Sequence, residues 1–254
     1  MIENQVPSGW RDVAWFLAGP ALVTVAVAIG FQLSPWPVPI ASQAQILQPV
    51  PVALILLAGC IGVSLSSRAG LPSAPSVTDA PAWRRLSVGA VGAGLVFGAA
   101  LFGLDAAFNL TAGAVKALGA TWVNLPLPVS LAHYAAAAVL VECFYRLIPI
   151  PVLGWLIGRV LLRGRAASAV FWTLAVLTSC LEPASLLALA RSDALTALAG
   201  LLAVTFAANL FEAWELRRHG WPAPILFRLA FYAVWHCFGP YLLSPASVLY
   251  PGIH

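Results

Sequence analysis

Charge is what this chain of 254 residues has least of: Asp, Glu, Lys and Arg together make up 9% of it. A soluble domain carries about 25% charged residues. Hydrophobic residues reach 61% and mean hydropathy is +0.91, so too few charges remain to cover a water-facing surface. Soluble, disordered and nucleic-acid-binding proteins are excluded on this ground. The net charge of +4 does not restore a nucleic-acid partner, because the 13 basic residues stand singly or in pairs between apolar runs, with no basic patch interleaved with aromatics. Only one of them, Lys116, is a lysine.

Cysteine is scarce as well. Cys60, Cys143, Cys180 and Cys237 lie inside apolar stretches and form no CxxC pair, which supports neither a disulfide framework nor a zinc ribbon. They read as small buried hydrophobes. No GxSxG, HExxH, P-loop or strand-to-helix GxGxxG occurs.

What is present is a series of long apolar runs. A membrane-crossing helix needs about 20 mainly apolar residues. Seven such runs are expected, near 13–33, 47–67, 86–108, 128–147, 166–183, 193–215 and 221–243. The fold class expected is therefore all-α, a seven-span bundle forming a single membrane domain over 1–254, with three spans in 1–108 and a four-span core in 128–243. The first run has weak basic flanks and continues past Ala26-Val27-Ala28 to Phe31, so it reads as an uncleaved span. Two further stretches suit interfacial amphipathic helices. Residues 109–127 carry Lys116 and end at Pro126 and Pro128, whereas 149–165 open on Pro149 and Pro151 and end on Arg159, Arg163 and Arg165.

Basic residues orient the chain. With the N-terminus inside, Arg11, Arg68, Arg84, Arg85, Arg146, Arg159, Arg163, Arg165, Arg217 and Arg218 all fall on the inner side, against Lys116 and Arg191 outside. N-in, C-out follows. The dominance of Arg and Ala points to a bacterial cytoplasmic (inner) membrane. Trp10, Trp36, Trp83, Trp122, Trp221 and Tyr241, near span ends, fit an interfacial aromatic belt. The run Gly89-Ala-Val-Gly92-Ala-Gly94 inside span three reads as small residues for close helix packing.

Ionisable residues inside spans are costly, and each is a functional candidate. Glu142 and Arg146 stand four apart and share a helix face, which suits an intrahelical pair with Arg146 snorkelling to the interface. Asn209 and Glu212 share a face of span six, and Arg228, Tyr232 and His236 follow at four-residue intervals along span seven. Glu142 and Arg228 fall at a common depth, roughly 7–10 Å from the inner boundary, so they can meet and neutralise each other. A polar clasp between helices and a catalytic centre both fit this cluster. His133 and His236 fall at a common depth in the outer half, where two facing imidazoles suit a haem or chlorin; hydrogen-bonded core histidines are the commoner arrangement. Glu182, beside Pro183, reads as a boundary residue at a helix stop.

Spans four to seven resemble the CAAX-protease and bacteriocin-processing (CPBP, or Abi) family of intramembrane proteases. The likeness covers about 110–120 residues by motif count. The family's Glu-Glu-x-x-x-Arg motif is matched by Val141-Glu142-Cys-Phe-Tyr-Arg146, with Val141 in place of the first Glu. A last helix after a short basic turn and a Gly is matched by Arg217-Arg218-His-Gly220 leading to Arg228. The resemblance puts the family's His at Arg228, its Asn or Asp at Tyr232 and a later His at His236. The Phe-x-x-x-His motif falls in Phe171 to Glu182, where no His occurs and Cys180 and Glu182 are the nearest stand-ins. The family activates water with Glu and His, with or without metal. The resemblance therefore implies Glu142, Arg146, Glu182 and His236 as the catalytic set of an altered hydrolase. Alternatively it implies a pseudo-protease that binds lipid-like ligands or another membrane protein through Asn209, Glu212, Arg228 and Tyr232. No metal and no resident cofactor are expected on that reading.

Overall fold

The computed structural model describes residues 8–36, 38, 41–118, 124–125, 127–189 and 195–239. Trp122, Arg191, Tyr241 and the end of the seventh expected span lie outside the described residues. Every regular element among those described is helical. In chain order these are α1 (Ser8–Phe16), α2 (Leu22–Leu33), α3 (Ala41–Ile46), α4 (Pro49–Ala69), α5 (Ala80–Phe108), α6 (Leu110–Leu118), α7 (Val129–Glu142), α8 (Pro149–Leu153), α9 (Ala167–Leu189), α10 (Leu195–His219) and α11 (Pro222–Tyr232). Four π-helical stretches, Leu17–Ala21, Cys143–Leu147, Gly154–Leu161 and Ala233–Phe238, link or extend them.

Among the described residues, five runs are long and apolar enough to cross a membrane: Gly9–Leu33, Pro49–Ala69, Ala80–Phe108, Val129–Leu161 and Ala167–Leu189. Their outward faces are apolar, as Leu57 (64% exposed) and Ile61 (57%) on α4 show, which suits lipid rather than water as the surrounding medium. The chain is thus an all-α, multi-pass integral membrane protein. α10 and α11 pack among these runs, α10 on α9 and α11 on α5 and α7.

Local chemistry sets the helix ends. Pro49, Pro149 and Pro222 open their helices at positions where a missing N–H costs nothing. Asp79 caps α5 by accepting from the Ala82 N–H at 3.0 Å. Gly70, at φ 85°, closes α4 in a left-handed conformation. Two departures from expectation concern helix length. Span four does not stop at 147 but bends and runs on through α8 to Leu161, so residues 149–161 prolong it toward the start of α9. The helix of the fifth expected span, α9, passes through Pro183 to Leu189, which puts Glu182 inside a helix rather than at its stop. Within the 109–127 stretch the described helix is α6, which packs Ala114 and Ala117 against Leu198.

Helix ends rich in arginine gather at one end of the bundle. Arg11 donates to the Ala74 carbonyl at 2.9 Å, Arg217 to Ser168 Oγ at 3.1 Å, and Gly220 abuts the Pro72 carbonyl. Trp221 is no belt residue: it is buried and packs edge-on to Phe16, with ring centroids 5.6 Å apart. Cys180, expected to be buried, faces outward, whereas Cys143 and Cys237 are buried.

Small residues permit the closest helix approaches. Gly62 on α4 lies directly under the Leu147 carbonyl, and Gly94 on α5 lies under that of Phe227. Asp105, near the end of α5, accepts from the Thr111 N–H (2.5 Å) and hydroxyl (2.7 Å), and so satisfies the start of α6. Asp105→Ala is expected to cost about 1–2 kcal/mol. That corresponds to about 2–4 °C of thermal midpoint per kcal/mol in a detergent melt; an unchanged midpoint would remove the cap from the account.

Candidate functional site

Five helical segments deliver one buried polar network. α7 supplies Glu142, the π stretch after it Arg146, α9 Glu182, α10 Asn209 and Glu212, and α11 Arg228 and Tyr232. Arg228 is its hub. Its Nε donates to Glu142 Oε1 (2.6 Å) and Glu212 Oε1 (2.9 Å), and its Nη2 to Glu212 Oε2 (2.6 Å) and Asn209 Oδ1 (3.0 Å). Nη1 donates to Glu182 Oε2 (3.1 Å) and Oε1 (3.3 Å) and to the Tyr232 hydroxyl (3.1 Å). The grip of Glu212 on Arg228 is bidentate, the fork geometry in which a guanidinium binds carboxylate best.

Arg146 is the second cation. It lies 3.2 Å from Glu142 Oε1 and 2.5 Å from Glu212 Oε2, and its Nε donates to the Asn209 carbonyl at 3.4 Å. The i,i+4 pair with Glu142 exists, but Arg146 does not snorkel: it is 1% exposed and turned into the bundle. The π stretch Cys143–Leu147 carries it there, and a second, Ala233–Phe238, carries His236. Such stretches recur at functional sites because the wider turn re-aims side chains.

Glu142 and Glu212 are fully buried and Glu182 is partly exposed, at 19% of its side chain. Of the two stand-ins on α9, it is Glu182 that joins the network, through Arg228 and through Asn209 Nδ2 (2.9 Å). Cys180 does not. Among the described residues, Glu142 Oε2 has no hydrogen-bond donor. The network is therefore tight around Arg228 and slack at one carboxylate oxygen.

Above this floor, in the half of the bundle away from the arginine-rich end, lies a cavity of about 440 Å³. Glu182, Asn209, Arg228 and Tyr232 reach it, as do both candidate histidines; Glu142, Arg146 and Glu212 stay behind the floor. Trp36 Nε1 donates to His133 Nδ1 at 3.4 Å, and His236 Nδ1 lies 2.7 Å from Asn124 Oδ1. Tyr134 lies against both imidazoles, stacked on His236 (4.1 Å) and edge-on to His133 (5.2 Å). Both histidines are thus engaged in the wall. Among the described residues, no three of His, Cys, Asp or Glu are grouped to share a metal ion.

Several residues of this chamber escaped sequence reasoning. Tyr134, Tyr145, Trp235, Thr205 and Ser185 line it, and Asn124 steadies His236, yet each is a common residue type in an apolar helix or at its edge. Buried Asp12 and Glu215 lie nearer the arginine-rich end, and Glu215 is 3.9 Å from His219. No family model, curated protein or solved structure matches this chain.

Proposed function

We propose that this chain is a seven-span membrane protein, N-in and C-out, built on the CPBP plan but without its chemistry. It works by binding, holding a lipid-like ligand or another membrane protein at its central chamber. One observation carries the reading: Arg228, where the resemblance puts the family's histidine, is bonded to Glu142, Glu212, Glu182 and Asn209. Carboxylates of the kind that take a proton from water serve here as counter-ions to a guanidinium, which can never accept one. The wall supports binding, since it combines aliphatic and aromatic surface with a few convergent polar groups. The competing reading, an altered hydrolase, draws on Glu182 and His236 sharing one cavity.

Glu142→Gln separates the two. It removes one carboxylate charge and turns the charge-assisted contacts from Arg228 Nε and Arg146 Nη1 into weaker ones to a neutral amide oxygen. The expected loss is about 1–3 kcal/mol, read as a several-fold fall in folded protein in the membrane by quantitative blotting. Normal abundance together with loss of cleavage of a co-expressed membrane substrate would sink the binding reading in favour of the hydrolase. Reporter fusions at both termini test N-in and C-out.

A further inference from the structure

The floor of the chamber sets three carboxylates, Glu142, Glu182 and Glu212, against two guanidiniums, Arg146 and Arg228. Counted with every carboxylate ionised, one negative charge is left over, and an unbalanced charge inside a membrane protein is expensive. Two of the three carboxylates are sealed behind the floor. Glu182 is the one that reaches the chamber, and its Oε1 takes only the longer contact from Arg228, 3.3 Å, which leaves acceptor capacity on that oxygen.

The surroundings of that charge are aromatic. Tyr134, Phe231, Tyr232 and Trp235 line the chamber; Arg228 already lies over the Tyr232 ring (5.4 Å) and His236 stacks on Tyr134, so Phe231 and Trp235 are the rings left to attract a further cation. Farther along the wall the lining turns aliphatic, with Leu186 and Leu189 following Glu182 on α9. Arg228 reaches the chamber too, but its Nη1 is already held by Glu182 and Tyr232, so Glu182 Oε1 is the charged group with capacity left for a ligand. A bare metal ion would find too few grouped donors among the described residues. The volume of about 440 Å³ suits a small organic molecule or the head of an amphiphile.

We propose that the chamber binds an organic ammonium ion, its cationic head between Glu182 and the rings of Phe231 and Trp235, its substituents along Leu186 and Leu189. This inference rests on reading the chamber as a binding site and names its ligand class. A quaternary ammonium is the form that aromatic walls favour most over water, because it is weakly hydrated and needs no hydrogen-bond acceptor. The group has two sources in a membrane, a free amine or a lipid headgroup.

The test uses the full chain in nanodiscs of phosphatidylglycerol, which contain no amine. Choline is titrated by saturation-transfer NMR, with 3,3-dimethylbutanol as its neutral isostere. Saturable choline binding is expected, tighter than that of the alcohol by about tenfold or more. Glu182→Gln should weaken choline by at least about tenfold while keeping an acceptor for Arg228 and Asn209. Leu186→Trp, which fills the chamber and leaves the ion network alone, should abolish binding in protein of unchanged elution volume. Phosphatidylcholine doped into the disc competes with choline if the headgroup is the occupant, and fails to compete if a free amine is; either result upholds the site. No saturable binding to folded wild-type protein, equal binding of the alcohol, or wild-type affinity in Glu182→Gln overturns it, the leftover charge then being met by a proton. Failure of choline to bind with no cleavage activity would overturn this site alone. Substrate cleavage with choline still bound would overturn the non-catalytic reading alone.

Discussion

Arg228→Met is expected to remove folded protein from the membrane almost completely. The substitution fills a similar volume but withdraws the guanidinium that meets Glu142, Glu182 and Glu212 at once. Arg146 remains against Glu142 and Glu212, so the residual network holds three carboxylates and one cation in a site where Glu142 and Glu212 are fully buried. Breaking one buried pair by removing a partner costs about 3–5 kcal/mol, and here three carboxylates lose the guanidinium at once, Glu182 with no second cation to turn to among the described residues. Total stability is only about 5–15 kcal/mol, so the loss is a large share of it. Fluorescence-detected size exclusion of a tagged protein reads the result. Arg228→Lys should fall between, because an ammonium keeps the charge but cannot reproduce contacts made from Nε, Nη1 and Nη2. Adding Glu142→Gln to Arg228→Met should restore part of the signal, the non-additivity expected of one network. Wild-type amounts of Arg228→Met would mean that the network contributes little to folding.

Gly94→Leu should be nearly as damaging, for a steric reason. A Cβ at Gly94 would run into the Phe227 carbonyl and come within 2.9 Å of Ala230 Cβ, so α5 must move away from α11. That is the most extensive helix pairing in the bundle, and α11 carries Arg228 one residue beyond the point of contact. Close-packed interiors transmit such a shift rather than absorb it. Overpacking costs about 1–3 kcal/mol and more where backbone must move. Gly92→Leu is the matched control, two residues away on the same helix with nothing within 4 Å of its added Cβ, and it should leave the thermal midpoint nearly unchanged. Equal effects of the two would show that helix propensity, not the α5–α11 contact, sets the cost.

These two variants mark the division between what was legible in the sequence and what was not. The meeting of Glu142 with Arg228 was legible, because both residues count to a common depth from the basic flanks of their spans, and charges at one depth in a bilayer seek each other. The role of Gly94 was legible only in part. The run from Gly89 to Gly94 signals close packing, yet Gly89 and Gly92 face open space, and the working pair is Gly94 with Gly98, which abuts Val234. A stripe of small residues does not say which of them meets the partner helix.

Arg146 and Glu182 were misread for related reasons. An arginine near a span end snorkels when the nearest polar medium is water; here Glu212 and the Asn209 carbonyl on α10 offer a nearer one, and a π turn aims the side chain at them. A glutamate before proline marks a helix stop when solvent follows; α9 instead continues, and the carboxylate of Glu182 is held by Arg228 and Asn209. In both cases the deciding partner lies on a helix distant in sequence.

Composition and run length alone determined the medium, the helical class and the set of costly polar residues, because burying backbone in lipid leaves helices as the structure for long apolar runs. Only tertiary structure decided that Arg228 is the hub, that Glu142 and Glu212 are sealed while Glu182 reaches a chamber, and that His133 and His236 are engaged in its wall. Depth along a helix can be counted from one sequence, whereas rotation about the helix axis, which settles who faces whom, is set by packing against the neighbours.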